Sequence, residues 1–150
     1  MHSRRAVLAL CVVSAVSCGD ATGPRDEIAG LYALQRVNAQ ALPTSVPCGG
    51  GFSIVSADIA LSSTGQATFT RRLITQDASA ASVYLVVTGR YLVTERAVVV
   101  YGEGRWSNAP RAFRGELRFD RVDAVLRGAG EGPECDAPSA VEDYERVVRL

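Results

Sequence analysis

The sequence predicts an all-β domain, an antiparallel up-and-down barrel of about eight strands, and three observations carry that expectation. From Ala29 onward apolar and polar residues alternate with period two, in runs rich in β-branched and aromatic side chains. Gly, Pro, Asn, Asp and Ser interrupt the runs, and several interruptions are as short as a hairpin turn. No long segment carries the 3.6-residue period of an amphipathic helix.

The runs cover residues 30–38, 52–62, 66–75, 82–94, 97–106, 111–119, 124–130 and 141–150. Ser63-Thr64-Gly65 joins the second to the third, Glu95-Arg96 the fourth to the fifth, and Asp120 to Asp123 the sixth to the seventh, so consecutive strands should pair as antiparallel hairpins. In the fourth strand Val83, Leu85, Val87, Gly89, Tyr91 and Val93 share the core side, while Tyr84, Thr88 and Arg90 share the other. In the sixth, Phe113, Gly115, Leu117 and Phe119 alternate with Arg114, Glu116, Arg118 and Asp120, a solvated face of alternating sign. An open sheet of this size leaves two bare edges and buries one face; closure removes both liabilities.

The first residues belong to a different segment. Met1 to Ser17 run from Arg4 and Arg5 through the apolar stretch Ala6 to Val16 into small residues before Cys18, the layout of a secretory signal and too short for the ~20 residues of a membrane span. Ala15-Val16-Ser17-Cys18 resembles a bacterial lipoprotein signal, although Ala15 stands where Leu is usual. The resemblance implies cleavage before Cys18 and lipidation of its thiol; ordinary cleavage near Ser17 or Ala21 is the alternative. Gly19 after the cysteine resembles an outer-membrane sorting context. The expected organisation is a signal peptide over 1–17, a lipidated cysteine and tether over 18–28, and one barrel domain over 29–150. The location is then the cell envelope, on an outer membrane facing the periplasm or the cell surface, with the membrane as partner through Cys18.

Composition narrows the chemistry. All of the basic residues are arginine, so Schiff bases, phosphate-loop lysines and lysine general bases are excluded. The single histidine, His2, leaves with the signal, which removes histidine triads and zinc sites. Loss of Arg4 and Arg5 leaves the remainder slightly acidic, without the basic excess of a nucleic-acid binder. No nucleophile, base and orienter can be assembled, so no catalytic residue, metal or cofactor is expected. Cys11 goes with the signal and Cys18 with the lipid, leaving Cys48 and Cys135. In an oxidising compartment these read as one disulfide, a reactive or metal-binding pair being the alternative. They fall in the first and seventh connections of the meander, which share one end of a closed barrel.

Gly30-Leu31-Tyr32 resembles the G-x-W signature of lipocalin-like barrels, and Tyr144-Glu145-Arg146 resembles their closing-strand arginine. The resemblance implies that Arg146 packs over the Tyr32 ring at the base, closing the barrel; here Tyr replaces Trp. The run Gly30 to Asn38, continuing to Leu42-Pro43, is similar to the opening of small uncharacterised bacterial lipoproteins.

A small barrel is either filled by its own side chains or holds one ligand. Gly89, Gly102 and Gly115 either leave room inside or mark bends. A cavity would be lined by Phe69, Leu85, Val87, Tyr91, Val100, Phe113 and Leu117, an apolar set suited to an acyl chain, isoprenoid or aromatic molecule. Trp106 falls at a loop mouth or caps the core. Glu142, Asp143 and Glu145 read as a solvated face rather than an acid/base pair. The functional expectation is a non-catalytic, lipid-anchored barrel that binds a small apolar ligand. The alternative is a structural or protein-interaction module with a filled core and an apolar outer patch that includes Tyr84 and Leu92.

Overall fold

The runs of alternating residues become strands whose inward faces meet around one axis. The computed structural model describes residues 24–45, 51–108, 112–129 and 140–149. It contains a short helix α1 (Pro24–Ile28) and strands β1 (Gly30–Val37), β2 (Gln40–Ala41), β3 (Thr44–Ser45), β4 (Phe52–Leu61), β5 (Gln66–Thr75), β6 (Ser82–Val93), β7 (Ala97–Trp106), β8 (Ala112–Val122), β9 (Val125–Ala129) and β10 (Val141–Val148). From β4 to β10 each strand pairs antiparallel with the next. β10 then pairs with β1 and β1 with β4, closing an eight-stranded barrel.

Three features depart from the expected layout. Residues 24–28, expected within the tether, form α1, and Ile28 and Ala29 are buried against the barrel. The first connection contains β2 and β3, two-residue strands that extend β1 and β4 at the rim. β8 runs on to Val122, so the expected turn over 120–123 shrinks to Asp123-Ala124, with Asp123 at φ 54°. Aspartate tolerates this left-handed conformation better than most residues.

Closure also depends on bulges that simple alternation does not reveal. Leu34 and Val37 are both buried although three residues apart, because the β1–β10 register shifts between Leu34 and Arg36 and leaves Gln35 and Arg36 both outside. In β4 the same device between Ile54 and Ser56 keeps both Ile54 and Ala57 inside. One extra residue in one strand reverses the phase and bends the ladder.

Gly89, Gly102 and Gly115 stand in register across β6, β7 and β8. A Cβ on Gly89 would lie 1.9 Å from the Tyr101 carbonyl oxygen, and one on Gly102 would lie 2.6 Å from that of Thr88. At these two positions the glycines permit close backbone approach where the wall bends; they do not open a side-chain-sized space.

The two ends of the barrel differ. The end that begins β1 is shut by α1: Tyr32 donates its hydroxyl to the Ile28 carbonyl at 2.8 Å, and Tyr91 donates to the Ser62 carbonyl at 2.6 Å. Among the described residues the opposite end has a stepped rim: β9 pairs with β8 over residues 119–122, and Ala112–Arg118 of β8 extend past that pairing by roughly 20 Å of strand. Ser45 and Gly51 flank the segment that carries Cys48, and Ala129 and Ala140 flank the one that carries Cys135; these flanks all lie at this stepped end. Cys18, Cys48 and Cys135 themselves lie outside the described residues.

Candidate ligand site inside the barrel

Inward positions on β5 are Ala67, Phe69, Arg71 and Leu73, so alternation sends an arginine into the barrel. Inward positions on β10 are Glu142, Tyr144 and Arg146. β1 and β4 separate β5 from β10 around the wall, and side chains from these two strands therefore meet across the interior. Arg71 Nη2 donates to Glu142 Oε2 at 2.5 Å, and the Tyr144 hydroxyl donates to the same oxygen at 2.7 Å. The Arg71 guanidinium also lies 5.2 Å from the Phe69 ring centroid, within cation–π range.

Beneath this cluster three rings fill the cross-section. Phe119 and Tyr144 meet edge-to-face at 5.5 Å between centroids, and Phe69 sits 6.3 Å from Phe119 and 6.5 Å from Tyr144. The polar cluster thus stands on an aromatic floor. Glu142 keeps 3% of its side chain exposed but Arg71 keeps 12%, so the arginine is the less enclosed member of the pair.

Glu142 therefore belongs to the interior, which corrects its assignment to the solvated face with Asp143 and Glu145. Val141 and Val147 take the outer side of β10, and Asp143 pairs with Arg127 there at 2.7 Å. Hydrophobicity gives weak guidance on this strand, because each face carries both apolar and charged residues. The signal available was Arg71 itself, in phase with Phe69 and Leu73 on an apolar face.

Burial, together with the negative charge of Glu142, raises the Tyr144 phenol well above its ordinary value. Burial also raises that of Tyr91. Both phenols are easier to ionise in the unfolded chain, so their contribution to stability is complete below about pH 10 and is lost as pH rises through the folded-state values. The urea midpoint should fall with pH above that point, and Tyr144→Phe should flatten the fall. An unchanged slope would show that Tyr144 does not hold its proton in this way.

Of the seven residues expected to line a cavity, Phe69, Leu85, Val87, Tyr91 and Val100 face inward and pack tightly into one core cluster. Leu117 packs against that cluster while keeping partial exposure. The Phe113 side chain lies outside the described residues. Leu42, Phe52 and Trp106 are partly buried against the same core; Trp106 pairs with Leu85 near the end of β7. The accessible inner surface thus lies toward the stepped end, around Arg71, Leu117 and Trp106. Deeper positions are filled by protein.

Tyr32 and Arg146 are opposed across the β1–β10 seam at the shut end. The guanidinium lies 5.1 Å from the ring centroid, and Nε and Nη2 donate to the Tyr32 hydroxyl at 3.0 and 2.6 Å. Nη2 also donates to the Glu27 carbonyl, tying α1 to the seam. Tyr84 and Leu92 are exposed, at 41% and 51%, on the same outer face of β6, eight residues apart with Val86 also exposed between them. Among the described residues no three His, Cys, Asp or Glu side chains converge as metal ligands.

No family model, curated protein or solved structure matches the chain. Its functional reading therefore rests on the barrel and on what the barrel places inside.

Proposed function

We propose that this is an exported, lipid-anchored protein of the cell envelope, with a lipocalin-like barrel that binds one small, mainly apolar molecule without chemically changing it. The observation that carries the reading is the Arg71–Glu142–Tyr144 cluster inside the barrel. A barrel that needed only a packed core would be served as well or better by apolar side chains, since an interior ion pair must first be stripped of water. This pair is internally neutralised, so it suits a neutral polar group such as a hydroxyl or carbonyl on a ligand whose apolar body lies along Leu117 and Trp106. The partial exposure of Arg71 supplies the approach.

The anchor in this reading is Cys18, and a disulfide between Cys48 and Cys135 would tie the two connections at the stepped end. Such a bond closes a loop of roughly 90 residues, for which the chain-entropy model gives about 4 kcal/mol. Radiolabelled fatty acid fed to the producing cells should mark the chain and fail to mark Cys18→Ser.

Ligand binding is tested on the Cys18→Ser protein purified without detergent and titrated with 1-aminoanthracene, an apolar ring system with one neutral polar group. Saturable enhancement of its emission is expected, and Leu117→Trp should weaken binding about tenfold by filling the accessible inner wall. Tyr84→Ser, on the outer face, should leave it unchanged. If emission does not saturate, or Leu117→Trp has no effect, the interior is not the binding site. A second reading as an interaction module is favoured by Tyr84 and Val86, both exposed on one face of β6. Loss of a protein partner in Tyr84→Ser would support it.

A further inference from the structure

The shut end carries a hollow of about 420 Å³ that shares no lining residue with the Arg71–Glu142–Tyr144 cluster. Ile28 and Tyr32 line its inner side. Arg121, Arg146 and Arg149 stand around it with Glu27 and Asp123. Among the described residues none of these three arginines lies within ion-pair distance of a carboxylate, which is also true of six arginines elsewhere; what sets the three apart is that they converge on one hollow.

Hydrogen bonds fix two of the guanidiniums without neutralising them. Arg146 is held by the Tyr32 hydroxyl and the Glu27 carbonyl, and Arg121 donates to the Thr94 carbonyl at 3.2 Å. All of these acceptors are uncharged. With three guanidiniums and two carboxylates the described lining carries one net positive charge, which a single negative charge would balance. Guanidinium matches phosphate oxygens in both geometry and charge. The volume lies in the range of small-ligand sites and exceeds what a bare ion needs.

We propose that this hollow binds a phosphodiester, the monoanionic group shared by phospholipid heads and soluble glycerophosphodiesters. The inference goes beyond the proposed interior site and uses none of its residues. α1 forms one side of the hollow and is the last part of the segment expected as a tether, so an anchor at Cys18 would hold this end toward lipid.

The test uses the full chain carrying Cys18→Ser, with arginine Nε–H signals followed by NMR during addition of glycerophosphoglycerol. Flotation is run in parallel with vesicles of phosphatidylcholine, with and without phosphatidylglycerol. Shifts in the Arg121 and Arg146 signals with the soluble diester assign the site to free phosphodiesters. Flotation on phosphatidylglycerol vesicles without those shifts assigns it to the lipid head. In either case Arg121→Gln and Arg149→Gln should each weaken binding about tenfold, the loss of one charge-assisted contact. Arg105→Gln, on the outer wall of β7, should not weaken it. The proposal is overturned if neither probe binds, or if all three variants weaken binding equally, which would mark a general charge effect. Interior binding of 1-aminoanthracene is read on other residues, so either result can fail alone.

Discussion

Glu142→Ala is expected to lower the free energy of unfolding by about 3 kcal/mol, read as a lower urea midpoint at unchanged slope. The carboxylate is almost fully buried and receives both Arg71 Nη2 and the Tyr144 hydroxyl. Its removal takes the compensating charge from an interior guanidinium and the acceptor from a buried phenol. Arg71→Met combined with Glu142→Leu should recover most of the loss, because an apolar pair of similar volume carries no desolvation cost. That contrast is informative. If the double variant is as stable as the parent but binds 1-aminoanthracene more weakly, the ion pair serves recognition rather than stability. A single variant within about 0.5 kcal/mol of the parent would mean that water solvates the cluster freely.

Gly89→Ala should cost at least about 3 kcal/mol, near the upper end for added volume in a packed structure. The new methyl carbon would lie 1.9 Å from the Tyr101 carbonyl oxygen and 2.6 Å from Gly102 Cα. Both obstacles are backbone, so no side-chain rotation relieves them; β6 and β7 must separate or slip. Gly51→Ala provides the control. Its φ of +68° is strained for alanine, yet nothing lies within 4 Å of the added carbon, and a loss of about 1 kcal/mol is expected. Equal losses at the two positions would mean that the β6–β7 contact yields easily.

Much of this fold is legible in the sequence because alternation and short turns are local. The core face of β6, from Val83 to Val93, follows from period two alone, and the turn Ser62–Gly65 follows from its residue types. What escapes is whatever depends on a neighbouring strand. The bulges at Gln35 and Val55 arise from pairing with β10 and β5, and nothing in Leu34-Gln35-Arg36-Val37 marks where the phase must reverse. Glu142 was hidden for a related reason: its buried position makes physical sense only once β5 brings Arg71 across the barrel. α1 is too short to show a helical period, and its one large apolar residue, Ile28, is the one that becomes buried.

The seam between β1 and β10 has a kinetic consequence. Tyr32 and Arg146 are separated by 114 residues, whereas β4 to β8 are joined by turns and pair with near neighbours in the chain. Closing the longer loop carries the larger entropy cost, which places the seam late in assembly. Arg71 and Glu142 sit on opposite sides of that closure, so they remain hydrated until it occurs. The cost of drying their charges then falls after the main barrier. Disrupting the pair should accelerate unfolding while leaving the refolding rate nearly unchanged.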